Sequence, residues 1–101
     1  MMTDLEMIVE QVPEAALLEG TAEEAAELAQ AALKLARILR GENPTPVGEA
    51  QARFNLLEEL ADVGLMISAI ELKLGFDHDE LEPTMKHKTV RWIQRLERRR
   101  A

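Results

Sequence analysis

The chain contains no cysteine and no tyrosine, and its only aromatic side chains are one tryptophan and two phenylalanines. Without cysteine, disulfide bonds and thiolate metal sites are excluded. With aromatic residues at only 3% of the chain, the core must consist mainly of Ala, Leu, Ile, Val and Met. That composition suits close helix packing more than a β-sandwich.

The sequence also lacks any apolar run near the ~18 residues that a membrane span needs. Its first residues, Met1-Met2-Thr3-Asp4, carry no basic segment of the kind that opens a signal peptide. A length of 101 residues argues for one domain. We therefore expect one cytoplasmic domain, residues 1–101, that does not contact a membrane.

Charge is unevenly distributed along the chain. Residues 84–101 contain seven bases and one acid, a net charge of +6, which leaves −13 for the remainder of a chain whose total is −7. Such an acidic body repels polyanions, so we expect no nucleic-acid polymer as a partner.

Apolar residues recur at helical spacing in the first half of the chain. A short helix is predicted over residues 3–12, interrupted by Pro13, and a further turn over residues 15–18 is ended by Gly20. Thr21 and Glu24 have the spacing of a capping box, which predicts the start of a second major helix there.

That second helix is predicted to end near Arg40, with Gly41 as its C-terminal cap. A loop with Pro44 and Pro46 follows. The next helix is predicted over residues 49–74, ended by Gly75, and Pro83 suits the first turn of a basic C-terminal helix over residues 84–101. The predicted fold is an all-α bundle of about four helices, completed by oligomerisation.

The helix over residues 49–74 has two apolar faces when its residues are placed at about 100° per residue. We therefore expect both faces to be buried. Between them lies a narrow strip that contains Asn55, Glu59 and Asp62. Carboxylates on a doubly buried helix are costly unless a base, water or a metal compensates them. The one base on this strip, Lys73, lies about three turns beyond Asp62.

The preceding helix carries a similar pair, Glu24 and Glu27, at the edge of its predicted apolar face, which we assign to Ala25, Leu28, Ala29, Ala32, Ala36 and Leu39. Residues three apart lie on adjacent turns of one helix face, so each pair can share a hard cation. Two such helices facing each other would supply four carboxylates. Oxygen ligands suit Mg²⁺, or alternatively Mn²⁺.

The paired motif, Glu23-Glu24-Ala-Ala-Glu27-Leu28 followed by Glu58-Glu59-Leu-Ala-Asp62-Val63, resembles that of the MazG-like, all-α nucleotide pyrophosphohydrolases. The resemblance covers residues 21–75 and extends more weakly to the last helix. The interval between the two motifs is somewhat longer than in that family, because of the loop with Pro44 and Pro46.

The resemblance implies an Mg²⁺-dependent enzyme that cleaves nucleoside triphosphates between the α- and β-phosphates, giving a monophosphate and pyrophosphate. It implies assembly as a homodimer or homotetramer. Carried over residue by residue, it implies that the metal ligands are Glu24, Glu27, Glu59 and Asp62.

Further residues have predicted roles in this mechanism. Glu23 or Glu58 would orient the attacking water, unless each is simply solvated. Trp92 and Phe54 are predicted to belong to the core. The remaining candidates would contact the substrate: Asn55, Lys34, Lys88, Arg91 and Arg95. As alternatives, Asn55 would hydrogen-bond a neighbouring backbone group and Lys34 would complement the helix dipole. The three bases of the last helix would then form a solvated basic face.

Three alternatives remain open from sequence. One is a related pyrophosphohydrolase with another substrate, such as phosphoribosyl-ATP. The second is a helical interaction or regulatory module, in which the apolar faces serve association and the acids serve solubility. The third is an enzyme that has lost activity but still binds nucleotide.

Overall fold

A computed structural model describes residues 1–42 and 47–100 of the chain. It contains four helices: α1 (Asp4–Gln11), α2 (Glu14–Arg40), α3 (Glu49–Leu74) and α4 (His78–Arg100). No strand occurs in the described residues. The predicted all-α class and the number of helices are therefore confirmed.

The short helix α1 begins where the sequence predicts it. Thr3 has extended backbone angles and its hydroxyl accepts a hydrogen bond from the backbone N–H of Glu6, so it satisfies one of the free donors of the first turn. Pro13 follows the helix in extended conformation. The chain then turns directly into α2.

Helix α2 is longer than predicted and runs without a break through Gly20 and Thr21. The predicted capping box is wrong, because the Thr21 hydroxyl donates back to the carbonyl oxygen of Leu17 at 2.8 Å. A glycine inside a helix costs about 1 kcal/mol. The helix continues through Gly20 nevertheless, because this turn packs closely on α3. Gly41 does end the helix, with a positive φ of 70°.

Helix α3 has the predicted bounds and ends at Gly75, whose φ is 72°. Helix α4 starts about two turns before the predicted position, at His78 rather than at residue 84. The reason is a local cap, since the Asp77 carboxylate accepts a hydrogen bond from the Asp79 backbone N–H at 3.1 Å. Pro83 therefore lies inside the helix and not in its first turn.

Helices α2 and α3 pack along each other, and α1 packs against α3. Leu17 belongs to the same buried cluster as Ala69, and Gly20 lies against Met66. Pairing of early residues of α2 with late residues of α3 means that the two helices are antiparallel. The cluster is completed by Val9 from α1.

The described residues cover only one side of α3, so the prediction of two buried faces is wrong for a single copy. The covered side carries Ala52 and Ala69, both buried, together with half-buried Glu59 from the acidic strip, whereas Asn55 and Asp62 are exposed. The opposite face is exposed, and with it Phe54, which was predicted to be core and is 53% exposed. Burial follows the position of α2 and α1, which the wheel alone does not specify.

The predicted apolar face of α2 is likewise mostly uncovered. Ala25, Ala29, Ala32 and Leu39 are exposed. The side that packs on α3 is rotated from it, with Leu17 and Leu35 buried and the following residues half-buried: Gly20, Thr21, Glu24, Leu28, Ala31 and Ile38.

Helix α4 packs along none of the other helices. Every residue from 79 to 100 is exposed, including Trp92 at 65%, so its predicted place in the core is wrong for a single copy. In the described part of the chain, no helix is both long and apolar enough to cross a membrane.

Candidate metal centre

Three carboxylates from two helices converge at the middle of the α2–α3 contact. One turn of α2 separates Glu24 from Glu27, and the antiparallel partner helix brings Glu59 opposite them. One carboxylate oxygen from each residue lies within 4.8 Å of the other two. The two motifs therefore meet in space, as the metal-site prediction requires.

Asp62 stands apart from this trio, because its carboxylate is not among the oxygens that lie within 4.8 Å of one another. It is close enough for its charge to raise the pKa of both Glu24 and Glu59. Of the four predicted ligands, the fold thus brings three together and leaves the fourth at the edge of the cluster.

Glu24 and Glu59 are half-buried, whereas Glu27 is exposed. One oxygen of each half-buried carboxylate, Oε2 of Glu24 and Oε2 of Glu59, is shielded from solvent and has no hydrogen-bond partner among the described residues. A shielded acceptor without a donor is costly. These two oxygens fit the hard oxygen ligands that Mg²⁺ and Mn²⁺ prefer.

Burial and repulsion between like charges raise the pKa values of two acids in the cluster. Burial raises the pKa of Glu24, and the negative charges of Glu27, Asp62 and Glu59 raise it further. Burial is also the largest cause of the raised pKa of Glu59, followed by the charges of Glu27 and Asp62. A divalent cation would reverse both effects by favouring the charged forms.

No base of the described chain compensates the cluster. The Nζ of Lys73 donates a hydrogen bond to the carbonyl oxygen of Val9 and so holds the end of α1 on α3. Arg53 instead forms an ion pair with Glu49 on the surface of α3, at 3.0 Å. The sequence did not predict the role of Lys73, because a contact between helices distant in sequence leaves no local pattern.

The two carboxylates predicted to orient water, Glu23 and Glu58, are exposed and adjoin the cluster residues in sequence. The charge of Glu58 contributes to the raised pKa of Glu59. Asn55 is exposed, and its side-chain oxygen accepts a hydrogen bond from the amide of Gln51 at 2.9 Å. That contact agrees with a local structural role for Asn55.

The predicted substrate-binding bases are not gathered at the cluster within one chain. Lys34 is exposed on α2. The other three, Lys88, Arg91 and Arg95, are exposed on α4, which stands away from α2 and α3. The loop residues Pro44 and Pro46, on which the prediction of a longer interval rests, lie outside the described residues.

Comparison with known proteins identifies no relative: no family model, no curated protein and no solved structure gives a significant match. The interpretation of the site therefore depends on its own chemistry and on the paired motif.

Proposed function

We propose that the chain is an Mg²⁺-dependent nucleoside triphosphate pyrophosphohydrolase, which converts a (deoxy)nucleoside triphosphate and water to the monophosphate and pyrophosphate. The observation that carries the proposal is the carboxylate cluster. Glu24, Glu27 and Glu59 lie together between two helices. Among the described residues, two of these acids have a shielded oxygen without a hydrogen-bond partner, and no base pairs with them.

In this proposal Glu24, Glu27 and Glu59 would hold the cation. Asp62, at the edge of the cluster, would complete the coordination shell either directly or through a bound water. A bound divalent cation neutralises phosphate charge and acidifies a nearby water. Mn²⁺ can replace Mg²⁺ because both accept oxygen ligands.

The remaining roles belong to exposed side chains of α2 and α3. Glu23 or Glu58 orients the attacking water and accepts its proton. Lys34 and Asn55 lie on the same two helices and are available to the nucleotide. The nucleotide itself, and cleavage between the α- and β-phosphates, are supported by the resemblance of the paired motif to the MazG-like enzymes.

The direct test is pyrophosphate release from a panel of ribo- and deoxyribonucleoside triphosphates, with and without Mg²⁺. We expect Mg²⁺-dependent turnover in the natural sequence and its loss in Glu24→Gln, which keeps the volume of the side chain and removes the charge. Glu19→Gln is the matched control, because Glu19 is exposed on the other side of α2. Equal turnover in the two variants would refute the proposal.

A second candidate is an interaction or regulatory module, favoured by the large apolar side chains that remain exposed on α3 and α4. Metal titration distinguishes the two candidates. The enzyme should gain thermal stability in millimolar Mg²⁺ or Mn²⁺, whereas a module whose acids only provide solubility should not. Phosphoribosyl-ATP belongs in the substrate panel, since a related pyrophosphohydrolase would use the same cluster.

A further inference from the structure

The acidic cluster is open to solvent on one side of the α2–α3 pair. Glu27 follows Glu24 by three residues on α2, and Asp62 follows Glu59 by three residues on α3. In an antiparallel pair, equal rotations away from the two contact residues point to the same side, because a twofold axis through that side relates the helices. The exposed acids Glu27 and Asp62 therefore mark one and the same open side.

Two further polar side chains lie on this side, two turns from the acids. Lys34 follows Glu27 by seven residues on α2, and Asn55 precedes Asp62 by seven residues on α3. Seven residues bring a helix back to within about 20° of its starting direction and advance it by about 10 Å. Because the helices are antiparallel, Lys34 and Asn55 lie toward the same end of the pair.

The register of the two helices sets these side chains at matching heights. Gly20 lies against Met66. Fourteen residues farther along α2 is Lys34, and fourteen residues back along α3 is Ala52, so these two residues are level. Ala52 is only 4% exposed and lies one turn before Asn55. Lys34 and Asn55 are both exposed and thus flank the buried contact on its open side.

A hydrogen bond fixes the direction of the Asn55 amide. Nε2 of Gln51 donates to Oδ1 of Asn55 at 2.9 Å. The Asn55 oxygen is thereby occupied, so Nδ2 of Asn55 remains as a donor and Oε1 of Gln51 remains as an acceptor. With the ammonium donors of Lys34, the three side chains offer donors from two residues and an acceptor from the third.

Distance decides which part of a nucleotide reaches this position. In the proposed function the phosphates lie at the carboxylate cluster, and neighbouring phosphates are joined through a single oxygen atom. The base is separated from the phosphates by the sugar. A subsite about 10 Å along the helix pair therefore meets the base of a bound triphosphate.

We propose that Lys34, Gln51 and Asn55 form the base subsite of this chain and select uracil or thymine over cytosine. The proposal rests on the proposed function, which locates the phosphates. Uracil has a carbonyl oxygen on each side of an N–H group, which suits two donors and one acceptor. Cytosine has an amino group in place of one carbonyl and a bare ring nitrogen in place of the N–H, so donor meets donor and acceptor meets acceptor.

The test compares UTP with CTP, which differ only at this edge of the base. We expect kcat/KM for Mg²⁺-dependent pyrophosphate release to favour UTP by about fivefold or more, the ratio that one net hydrogen bond supplies. Thermal melts with UMP or CMP at equal millimolar concentration give a second readout without turnover, and UMP should stabilise more.

Asn55→Asp replaces the Nδ2 donor with an acceptor and should lower the UTP-to-CTP ratio to about one or below. The ratio is the informative quantity, because a change in metal or phosphate binding alters both substrates equally. Lys34→Met should likewise reduce kcat/KM for UTP more than for CTP. Helical circular dichroism confirms that each variant is folded.

Gln51 is a positioning residue in this proposal, since it acts through the Asn55 amide. Gln51→Ala should therefore reduce the UTP-to-CTP ratio while leaving the kcat for CTP close to that of the natural sequence. Gln11→Ala is the matched control, because Gln11 is exposed on α1, which packs at the other end of α3. It should leave the ratio unchanged.

The outcomes separate this proposal from the proposed function. Equal turnover of UTP and CTP by the natural sequence, or a ratio unchanged in Asn55→Asp, would overturn the base subsite and leave the pyrophosphohydrolase intact. An equal loss for both substrates in Lys34→Met would assign Lys34 to phosphate and overturn its role at the base. The absence of both turnover and nucleotide-dependent stabilisation would refute the proposed function and the base subsite together.

Discussion

Glu24 of α2 and Glu59 of α3 lie opposite each other across an antiparallel helix pair, and each has one shielded carboxylate oxygen without a hydrogen-bond partner among the described residues. Helix pairs normally fill such positions with apolar side chains. Here the helices place two acids in the contact, and the nearest half-buried base on the strip, Lys73, is bound to the Val9 carbonyl oxygen instead. Two shielded acids without a partner cost stability in the metal-free chain, as is common at functional sites.

Replacing one of the opposed acids should therefore have opposite effects on stability and function. We expect Glu59→Gln to raise the melting temperature of the metal-free protein by a few degrees, because burial and repulsion both disfavour its charge. The same change should abolish the stabilisation by Mg²⁺ and the release of pyrophosphate. Differential scanning calorimetry with and without Mg²⁺ measures the first two effects. A lower melting temperature without metal would contradict the electrostatic explanation.

The pH dependence follows from the raised pKa values of Glu24 and Glu59, whose ordinary value is 4.5. The folded chain keeps these protons at pH values where the unfolded chain has lost them. The contribution of these two groups to the stability of the metal-free chain should thus be fully present below pH 4.5 and be lost as the pH rises through their raised pKa values. In Glu59→Gln this decline should be smaller.

Metal binding should show the reverse dependence, because protons and cations compete for the same oxygens. We expect the rise in melting temperature caused by Mg²⁺ to be larger near about pH 8 than near about pH 5. Thermal melts at fixed ionic strength measure it. An Mg²⁺ effect that does not change with pH would indicate binding elsewhere on the acidic surface.

The contact between Gly20 and Met66 predicts a limit on side-chain size at the helix crossing. A Cβ at Gly20 would lie 3.0 Å from the terminal methyl of Met66, and that flexible end can move. We expect Gly20→Ala to stabilise by less than the ~1 kcal/mol that helix propensity gives. Gly20→Leu should destabilise by about 1–3 kcal/mol through overpacking.

Gly64→Ala is the reference for this series, because a Cβ at Gly64 meets nothing within 4 Å. It should show the full gain from helix propensity. Urea unfolding of the three variants gives the comparison. A Gly20→Leu variant as stable as the natural chain would mean that the two helices do not approach closely here.

The hydrogen bond from Lys73 to Val9 predicts that α1 depends on a side chain of α3. Removing the donor in Lys73→Met leaves the Val9 carbonyl oxygen without its partner and should cost about 1–2 kcal/mol. The loss should be local, with faster hydrogen exchange in α1 than in α2 or α3. Lys34→Met, at an exposed position, is the control and should leave exchange in α1 unchanged.

The sequence by itself determined the helices and the pairing of the acids within each motif. Helical periodicity gave α3 its bounds, Gly41 and Gly75 ended their helices as predicted, and the spacing of three placed Glu24 beside Glu27. These features are local, so they can be derived from neighbouring residues. The starts of α2 and α4 were predicted wrongly, because packing around Gly20 and the cap from Asp77 outweighed the signals of Thr21 and Pro83.

Only the tertiary structure decided which face of each helix is covered. A helical wheel shows that α3 has two apolar faces and an acidic strip, but it does not say where the neighbouring helices lie. The fold places α2 beside one residue of the strip, Glu59, which brings it to Glu24 and Glu27 and leaves Asp62 at the edge. It also leaves Phe54 and Trp92 exposed, because α4 does not return to the bundle of its own chain. The physical reason is that burial depends on contacts between residues distant in sequence, and periodicity within one helix does not specify them.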